Sequence, residues 1–306
     1  MAEVIVVGPG AMGQMHAALL RRAGVDVALL HRDPRRAAAL EGTGVRLDGV
    51  VGKMCVPVPC VAEAKALGPA RFIVIFTKAY DTEAAVRGAM PAADAATTWV
   101  TLQNGLGNVE AIQGVVGQGP VLCGVTASGA HVLPDGTVNV VAVGNVLLGP
   151  VAPATARQAL AFCEVLNRAG LPCEAVDAPW PAVWQKLAVN AAINPLAALA
   201  GRRNGELLEL SWLRRVAFEV AREVGRVAAA QGVDLGGDPA DLVETVCRTT
   251  AANRCSMLQD LASGRRTEID QICGAVAALA PLEEPAQLCQ ALLALIKTAE
   301  REAGNR

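Results

Sequence analysis

Three polar residues stand in a row on a segment that is otherwise strongly apolar. Lys186, Asn190 and Asn194 are spaced four residues apart, which places them along one face of a helix over about 12 Å. Burying an amide or an ammonium group without partners costs on the order of 1–3 kcal/mol or more. The row is therefore either a solvated outer face or the lining of a ligand groove, where one cation would lie beside two amides that donate and accept hydrogen bonds.

A glycine-rich segment near the N-terminus, Gly8-Pro9-Gly10-Ala11-Met12-Gly13, has the spacing G-x-G-x-x-G. It follows the apolar run Val4–Val7 and precedes a helical pattern, which is the context in which this motif binds a dinucleotide. The first glycine permits a tight turn, the second lets the backbone approach a pyrophosphate, and the third lets the helix pack against the strand. The positive end of that helix would receive the phosphates. The alternative is a glycine-rich loop without a ligand.

The choice of cofactor is made where the second strand ends, about 20 residues further on, because a carboxylate there would bind the ribose 2′-hydroxyl of NAD. Arg32 stands at this point and could pair instead with a 2′-phosphate through its planar guanidinium, which favours NADPH. Asp33 either approaches the ribose or caps the helix that opens at Pro34. Lys78, just after the apolar run Phe72–Phe76, is a second candidate for the phosphate region or a solvated lysine.

Three further polar motifs either line a ligand site or only end secondary structures. Asn104 follows the predicted strand Thr98–Leu102, at the edge of the sheet where open α/β folds bind ligands, but beside Gly105 it is also a typical turn residue. The segments Ser256-Met257-Leu258-Gln259 and Thr267-Glu268-Ile269-Asp270 both have the form of a helix capping box, and capping is a sufficient explanation for each.

The composition restricts the partners. The chain has 306 residues, a net charge of −2 and 27 scattered basic residues, which argues against nucleic acid or an anionic membrane as partner. Aromatic residues make up 3% and would offer few stacking platforms for bases. No apolar stretch of about 18 residues escapes charge, glycine or proline, so we expect no membrane span.

The nine cysteines include no C-x-x-C pair, and no histidine stands at metal-ligand spacing. We therefore expect reduced, mostly buried thiols, no metal site and a cytoplasmic location. The N-terminal apolar run has no basic segment before it, so it is predicted to be a strand and not a signal peptide.

The elements that must position these residues divide the chain in two. Through the first half, short β-branched runs alternate with helical patterns, which predicts a parallel sheet covered on both faces. The runs Val121–Ala130, Thr137–Val143 and Val146–Leu148 are predicted to extend that sheet as hairpins. From Pro179 onwards the apolar residues recur at helical spacing only. We predict an α/β domain over residues 1–178 and an all-helical domain over residues 179–306.

Taken together, these motifs resemble the ketopantoate reductase family, the 2-dehydropantoate 2-reductases, over nearly the whole chain. The segments that carry the resemblance are the glycine loop, Thr77-Lys78-Ala79-Tyr80-Asp81-Thr82, Gln103-Asn104-Gly105, Trp184 with Lys186, Asn190 and Asn194-Pro195, Ser256-Met257-Leu258-Gln259-Asp260, and Thr267-Glu268-Ile269-Asp270. Their order and spacing together make the resemblance specific. It implies an N-terminal Rossmann-type dinucleotide-binding domain followed by an all-α C-terminal domain.

The resemblance also implies NADPH as the reductant and a small-molecule 2-oxo acid bound in the cleft between the domains. Arg32 and Lys78 would contact the adenosine phosphate region, and Asn104 would lie near the nicotinamide and the substrate. Helical domains in such two-domain reductases either pair or stand alone, so a homodimer remains open.

In the second domain the resemblance implies a set of residues for catalysis and for substrate binding. Lys186 would be the general acid, Asn190 and Asn194 would hold substrate oxygens, Ser256 would help receive the carboxylate, and Glu268 would complete the polar network. The chemistry agrees, because a hydride that adds to a ketone carbon leaves an alkoxide that must be stabilised and protonated. A lysine with an unshifted pKa near 10.4 would arrive protonated at neutral pH, and no metal is required.

Two positions depart from the family pattern and leave the substrate open. Cys273 stands where the family commonly has asparagine, and Glu283-Glu284-Pro285-Ala286-Gln287 replaces the usual Pro-Thr-Pro-x-Asn. The first hypothesis is reduction of 2-dehydropantoate to pantoate by NADPH. The alternatives are reduction of a different 2-oxo acid, carbonyl or imine on the same scaffold, and an NADP-binding redox sensor that does no chemistry.

Overall fold

The computed structural model describes residues 2–304, which divide into two compact units. The first unit ends at Pro179 but leaves out Asn104–Gly107, and these four residues group with the second unit, which otherwise begins at Trp180. The sequence predicts two contiguous domains, residues 1–178 and 179–306, and so assigns residues 104–107 to the first of them. Each unit has its own hydrophobic core.

The strands of the first unit are short and mostly apolar. In chain order they are β1 (Val4–Val7), β2 (Val27–Leu30), β3 (Val45–Gly49), β4 (Met54–Val56), β5 (Cys60–Val61), β6 (Phe72–Ile75), β7 (Thr98–Thr101), β8 (Val121–Thr126), β9 (Gly129–Val132), β10 (Val138–Ala142), β11 (Val146–Val151) and β12 (Cys173–Ala175).

Eight of these strands form one sheet in the order β12-β11-β8-β7-β6-β1-β2-β5. All neighbouring strands in it run parallel except β8 and β11. Every residue of β1, β2, β6 and β7 is buried, as expected for parallel strands covered on both faces. The predicted α/β class is therefore confirmed.

The remaining four strands form a second sheet in the order β4-β3-β10-β9. The prediction that the run 121–148 extends the first sheet is confirmed for β8 and β11 but wrong for β9 and β10, which pair with each other, while β10 also pairs with β3. β10 lies so close to β3 that a side chain at Gly49 would collide with the carbonyl of Val140. The pattern does not reveal β3 and β4, because they are short and half-exposed.

Helices cover the sheets of the first unit. They are α1 (Ala11–Arg22), α2 (Pro34–Thr43), α3 (Thr82–Ala89), α4 (Asn108–Val116) and α5 (Ala156–Arg168). A capping box starts α5, formed by Thr155 and Gln158, and the ring of Phe162 on this helix packs against Phe72 of β6 at 4.8 Å between centroids. The sequence predicts helices near residues 12–23, 34–41, 81–89 and 154–169, which agree with α1, α2, α3 and α5 to within two residues, but it does not predict α4.

The second unit is helical throughout its described residues. Its elements are α6 (Trp180–Ala200), α7 (Glu206–Glu209), α8 (Ser211–Ala230), α9 (Pro239–Thr249), α10 (Ser256–Ala262), a π-helix (Asp270–Gly274), α11 (Ala275–Leu279) and α12 (Gln287–Gly304). α6 is apolar on nearly every face and passes through the middle of the core, as a helix without an outward polar face does. The predicted all-helical second domain is confirmed.

The cysteines differ in part from the expectation of reduced thiols. Cys163 of α5 and Cys173 of β12 form a disulfide with Cα atoms 5.0 Å apart. The side chain of Asn167 holds the backbone of Cys173 through hydrogen bonds of 2.8 and 2.9 Å, which brings the strand back to the helix. Sequence spacing alone does not show this return of the chain. The other seven cysteines are free thiols, and all but Cys55 are buried.

None of the helices described in residues 2–304 is long and apolar enough to cross a membrane. The same residues contain no cluster of histidine, cysteine or acidic side chains that could hold a metal ion.

Candidate active site

The loop between β1 and α1 is shaped by two glycines that the protein itself requires. Gly8 has a φ of 89°, and a side chain there would lie 2.7 Å from the backbone nitrogen of Thr77, which follows the neighbouring strand β6. A side chain at Gly13 would collide with the carbonyl oxygen of Gly8. These two glycines let the loop turn sharply and let α1 pack close to β1.

Gly10 is different, because the protein does not explain why it is a glycine. Its φ is −73°, which any residue can adopt, and a side chain there would meet no described atom within 4 Å. Gly10 also stands at the N-cap of α1 without any side chain that caps the helix. Backbone N–H groups in the first turn and the positive helix end suit a pyrophosphate, and the bare backbone would let it approach. The loop therefore fits a dinucleotide.

The loop is supported from within α1. Gln14 is buried and donates from Nε2 to the carbonyl oxygen of Pro9 at 2.9 Å. The N–H of Gly10 donates to the Gly8 carbonyl at 2.8 Å, and the N–H of Gln14 donates to the Gly10 carbonyl at 2.9 Å. Residues 8–14 are thus fixed before any ligand binds. Ala11 and Met12, in the first turn of α1, are partly buried.

At the end of β2 the structure separates the two candidate groups for the ribose. Asp33 accepts hydrogen bonds from the N–H groups of Arg35 and Arg36 at 2.9 and 3.3 Å and caps α2, which confirms the capping interpretation of this residue. The side chain of Arg32 is 81% exposed and pairs with Asp81 at 3.0 Å. A carboxylate already used in a helix cap competes less well for a ribose hydroxyl than the exposed guanidinium does for a phosphate.

The ends of β6 and β7 are tied together by Gln103. Its Nε2 donates to the carbonyl oxygen of Thr77 at 2.8 Å and to Oγ of Thr82 at 2.9 Å. These two bonds fix the segment that contains Lys78. Lys78 is partly buried and stands at the N-cap of a short 3₁₀ turn, Ala79–Asp81.

Asn104 belongs by its contacts to the second unit. The neighbouring Gly105 has a φ of 81° and lies so close to Gln271 that a side chain there would be 2.8 Å from Cβ of Gln271, and the N–H of Leu106 donates to the Gln271 carbonyl at 2.9 Å. Gly105 therefore makes the turn, and the interpretation of Asn104 as a turn residue stays a prediction. Asn104 is held, through this turn, to the π-helix that begins two residues after Glu268. Sequence reasoning missed Gln271, because only this tertiary contact marks it.

Lys186, Asn190 and Asn194 all lie on α6, at the predicted helical spacing. Lys186 and Asn190 are partly buried, and Asn194 is 7% exposed. In the described part of the chain, neither carboxamide has a hydrogen bond from its side chain to another residue. This face of α6 is therefore partly to fully buried rather than a solvated outer face, and its two carboxamides are available to a polar ligand.

Lys186 is electrostatically unusual. Burial lowers its pKa from the ordinary lysine value to about 8, and the nearby carboxylate of Glu268 opposes this by raising it. The expectation of an unshifted lysine is thus wrong, because the sequence does not show how deeply the side chain is desolvated. A pKa near 8 leaves the ammonium mostly protonated at neutral pH but makes it a readier proton donor than an ordinary lysine.

Both predicted capping boxes are absent. α10 begins at Ser256, so Cys255 is its N-cap, and the Cys255 Sγ accepts from the N–H of Leu258 at 3.4 Å. Ser256 is left exposed in the first turn. In the second segment Thr267 would be the capping residue, but Ile269 stands at the N-cap of the π-helix and no side chain caps it. Glu268 is 8% exposed and interacts with Lys186. The motif fails because each helix begins at a different residue from the one it predicts.

Cys273, one of the two departures, faces the backbone of α6. Pro195 has no N–H, so the carbonyl oxygen of Ala191 four residues earlier lacks its usual helical donor, and the Cys273 thiol points at that oxygen across 4.0 Å. The second departure, Glu283–Gln287, lies before and at the start of α12, and its Glu284 pairs with Arg226 at 2.8 Å. The thiol of Cys273 therefore contacts the backbone of α6, whereas Glu284 forms an exposed ion pair.

A glycine loop on a parallel sheet, followed by a helical unit with a partly buried lysine beside a glutamate, defines a nicotinamide-dependent oxidoreductase. Comparison with known families agrees over both units. Residues 4–153 match the model described as ketopantoate reductase PanE/ApbA, and residues 180–300 match the model of its C-terminal part. The chain belongs to the ketopantoate reductase family, and the hypothesis of a sensor without chemistry is not retained.

Relatives cover the full length. The chain is 32% identical over 302 residues to a 2-dehydropantoate 2-reductase of Halobacterium salinarum, with 98% of this chain and 99% of that protein aligned. It is 36% identical over 274 residues to the 2-dehydropantoate 2-reductase of Archaeoglobus fulgidus, with 90% and 89% aligned.

Solved structures show the same fold. A PanE/ApbA family ketopantoate reductase from Ralstonia eutropha superposes with a TM-score of 0.88 at 28% identity, covering 98% of this chain and 99% of the other. A D-mandelate dehydrogenase, solved with NADH and anilino(oxo)acetate, superposes with a TM-score of 0.92 at 23% identity over 98% and 99%. The second likeness concerns the fold alone.

Proposed function

We propose that this protein reduces 2-dehydropantoate to (R)-pantoate with NADPH, a reaction of pantothenate biosynthesis. The observation that carries the proposal is Lys186, a partly buried lysine with a pKa of about 8, on the same helix face as two amides without hydrogen-bond partners. A reduced nicotinamide, when bound, supplies the hydride that adds to C2 of the 2-oxo acid. We infer that the glycine loop Gly8–Gly13 binds its pyrophosphate.

Lys186 would do two things in this reaction. As the C=O double bond of the substrate becomes a single bond, negative charge gathers on the oxygen, and the ammonium group stabilises it. The same group then transfers one proton from Nζ to that oxygen, which gives the hydroxyl of the product and leaves a neutral amine that water reprotonates. Proton transfer of this kind contributes roughly 10²–10⁴-fold to a rate.

The other polar residues of the second unit would orient the substrate. The Asn190 and Asn194 carboxamides can donate to carboxylate or hydroxyl oxygens, and Ser256 is exposed in the first turn of α10, where a hydroxyl and helix N–H groups together favour an anion. We assign Glu268 to keeping Lys186 charged, and Asn104 to the nicotinamide side of the substrate.

We propose NADPH over NADH because Asp33 is used in the cap of α2 while Arg32 is exposed and positioned by Asp81. Lys78 would add a second positive charge to the phosphate region. The D-mandelate dehydrogenase of the same fold was solved with NADH, so the fold by itself does not choose the cofactor.

A second candidate keeps the chemistry and changes the substrate to another 2-oxo acid, a carbonyl or an imine. Two observations favour keeping it: Cys273 replaces an asparagine beside α6, and the same fold in another protein holds anilino(oxo)acetate. Both candidates need the same acid and differ only in the residues around the substrate's side chain.

The test is the oxidation of NADPH by the purified protein over a panel of 2-oxo acids, with NADH run beside it. The proposal expects 2-dehydropantoate to give the highest kcat/KM. A higher value for phenylglyoxylate or another 2-oxo acid favours the second candidate, and no oxidation above the buffer rate with any of them refutes both.

Lys186→Met is the matched control. This variant should bind NADPH as tightly as the wild type, measured by the change in nicotinamide fluorescence, while kcat falls by at least about 10²-fold. Retention of turnover would remove Lys186 from the mechanism.

A further inference from the structure

Glu300, near the end of α12, contacts the residue that precedes Glu268. Its Oε1 accepts two hydrogen bonds from Thr267, one from the backbone N–H and one from Oγ, both at 2.7 Å. Thr267 is completely buried, and the Glu300 side chain is 13% exposed. The Thr267 Oγ in turn accepts from the N–H of Ile269 at 3.2 Å. These bonds fix the backbone on both sides of Glu268.

Lys297, one turn earlier on α12, completes the attachment. It forms ion pairs with Asp270 and, at 3.5 Å, with Oε2 of Glu300. Asp270 also pairs with Arg266 at 3.0 Å. Residues 266, 267, 269 and 270 are therefore all held by contacts of this network, while the charge of Glu268 acts on Lys186 of α6.

We propose that Glu300 is a positioning residue: by binding Thr267 through two hydrogen bonds, it holds the Glu268 carboxylate beside Lys186. A carboxylate affects a lysine strongly only over a few ångströms, so a small shift of the 266–270 backbone is enough to weaken the pair. α12 would thus control the proton donor without touching the substrate. The inference rests on the proposed function for its catalytic meaning, but its geometry does not.

The other charged groups near residues 266–270 each have a partner of their own. Lys297 lies on α12 itself, Arg266 and Asp270 lie on the segment, and on α10 the buried Asp260 is paired with Arg265 at 3.0 Å. Glu223 of α8 lies at the opposite end of α12, where it accepts from Leu288 and Cys289. Among the described groups, only Glu268 is known to raise the pKa of Lys186 by its charge.

The chain is well suited to a direct measurement, because it contains only five lysines. The pKa of Lys186 can be read by NMR of protein labelled at the lysine side chains, with its resonance assigned from Lys186→Met. Glu300→Met removes the acceptor at nearly constant length and should lower the pKa of Lys186 in the same direction as Glu268→Gln. Glu300→Gln keeps an acceptor for Thr267 and should leave it close to the wild-type value.

Three further variants separate the hydrogen bonds to Thr267 from a general loosening of α12. Thr267→Val loses the hydrogen bond from Oγ to Glu300 and should lower the pKa of Lys186 less than Glu300→Met does. Thr267→Ser keeps a hydroxyl group and should leave the pKa of Lys186 close to the wild-type value. Glu223→Met is the control for a loosened α12, because it removes two hydrogen bonds at the other end of the helix; it should lower the melting temperature without changing the pKa.

An unchanged pKa in Glu300→Met and Thr267→Val would overturn the proposal. An equal decrease in Glu300→Gln would overturn it too, since charge rather than hydrogen bonding would then be the cause, and so would an equal decrease in Glu223→Met. If no 2-oxo acid is reduced, the proposed function fails, but the NMR titrations still decide whether Glu300 positions Glu268.

Discussion

Glu268→Gln should move the alkaline limit of the reduction to lower pH. Lys186 has a pKa of about 8, set by burial, which lowers it, and by Glu268, which raises it. An opposite charge within about 4–6 Å shifts a pKa by roughly 1–3 units; at the lower end of that range, loss of the Glu268 charge should bring the pKa of Lys186 to about 7. Reduction needs the protonated lysine, and its rate should fall as pH rises through these values.

If Glu268 acts through the pKa of Lys186, the loss of rate in Glu268→Gln should depend on pH. A loss of substrate binding would instead lower the rate equally at every pH. At pH 6 both proteins would be at least about nine-tenths protonated, so kcat/KM should differ little from this cause. At pH 9 the protonated fractions would be about one tenth in the wild type and about one hundredth in the variant, a tenfold difference.

The assay is kcat/KM for NADPH oxidation over a pH series in buffers of constant ionic strength. Lys186→Arg is the control, because a guanidinium stays charged throughout; its slow reaction should show no alkaline limit. The oxidation of the 2-hydroxy acid by NADP⁺ needs the neutral amine and should rise through pH 8 in the wild type. A rate ratio between the wild type and Glu268→Gln that is constant from pH 6 to 9 would refute the reasoning.

Three other predictions follow from the described contacts. Arg32→Ser should raise KM for NADPH by about 10–100-fold, the equivalent of one charged hydrogen bond of about 1.5–3 kcal/mol, and leave KM for NADH nearly unchanged; equal effects on both cofactors would contradict a contact with the 2′-phosphate. Gly10→Ala should fold with the wild-type melting temperature but bind NADPH more weakly, whereas Gly13→Ala, whose new methyl group would collide with the Gly8 carbonyl, should unfold at lower temperature; equal melting temperatures would contradict the different roles given to these glycines. The pKa of Lys186 is lower in the folded protein than in the unfolded chain, where it is near 10.5, so the folded state binds fewer protons between pH 8 and 10.5. The free energy of unfolding of the wild type should therefore rise, relative to Lys186→Met, by up to about 3 kcal/mol across that range, and urea denaturation at several pH values would show no such rise if the lysine were not desolvated.

Much of the architecture was predictable because it depends on short-range patterns. Continuous apolar runs predict the buried parallel strands β1, β2, β6 and β7, and helical spacing predicts the second unit. The four-residue spacing alone puts Lys186, Asn190 and Asn194 on one face of α6. The errors are of one kind: β9 and β10 belong to a second sheet with β3, and the disulfide joins Cys163 to Cys173, because both depend on where distant segments meet.

The candidate site divides in the same way. The sequence by itself determines the glycine loop, since strand, turn and helix start are local and the spacing of Gly8, Gly10 and Gly13 is that of a dinucleotide-binding turn. It also determines which residue types are available for proton transfer. Whether a polar residue caps a helix or binds another group is not local: Asp33 proved to be a cap, while Ser256 and Thr267 did not.

Only the tertiary structure decided that Lys186 is desolvated, that Glu268 acts on its charge, and that Gly105 packs against Gln271. The physical reason is that a pKa depends on burial and on charges within a few ångströms, and these come from elements far apart in the chain. Lys186 and Glu268 are 82 residues apart, and Glu300 reaches Thr267 from the last helix. The sequence supplies Lys186, and the fold determines its pKa.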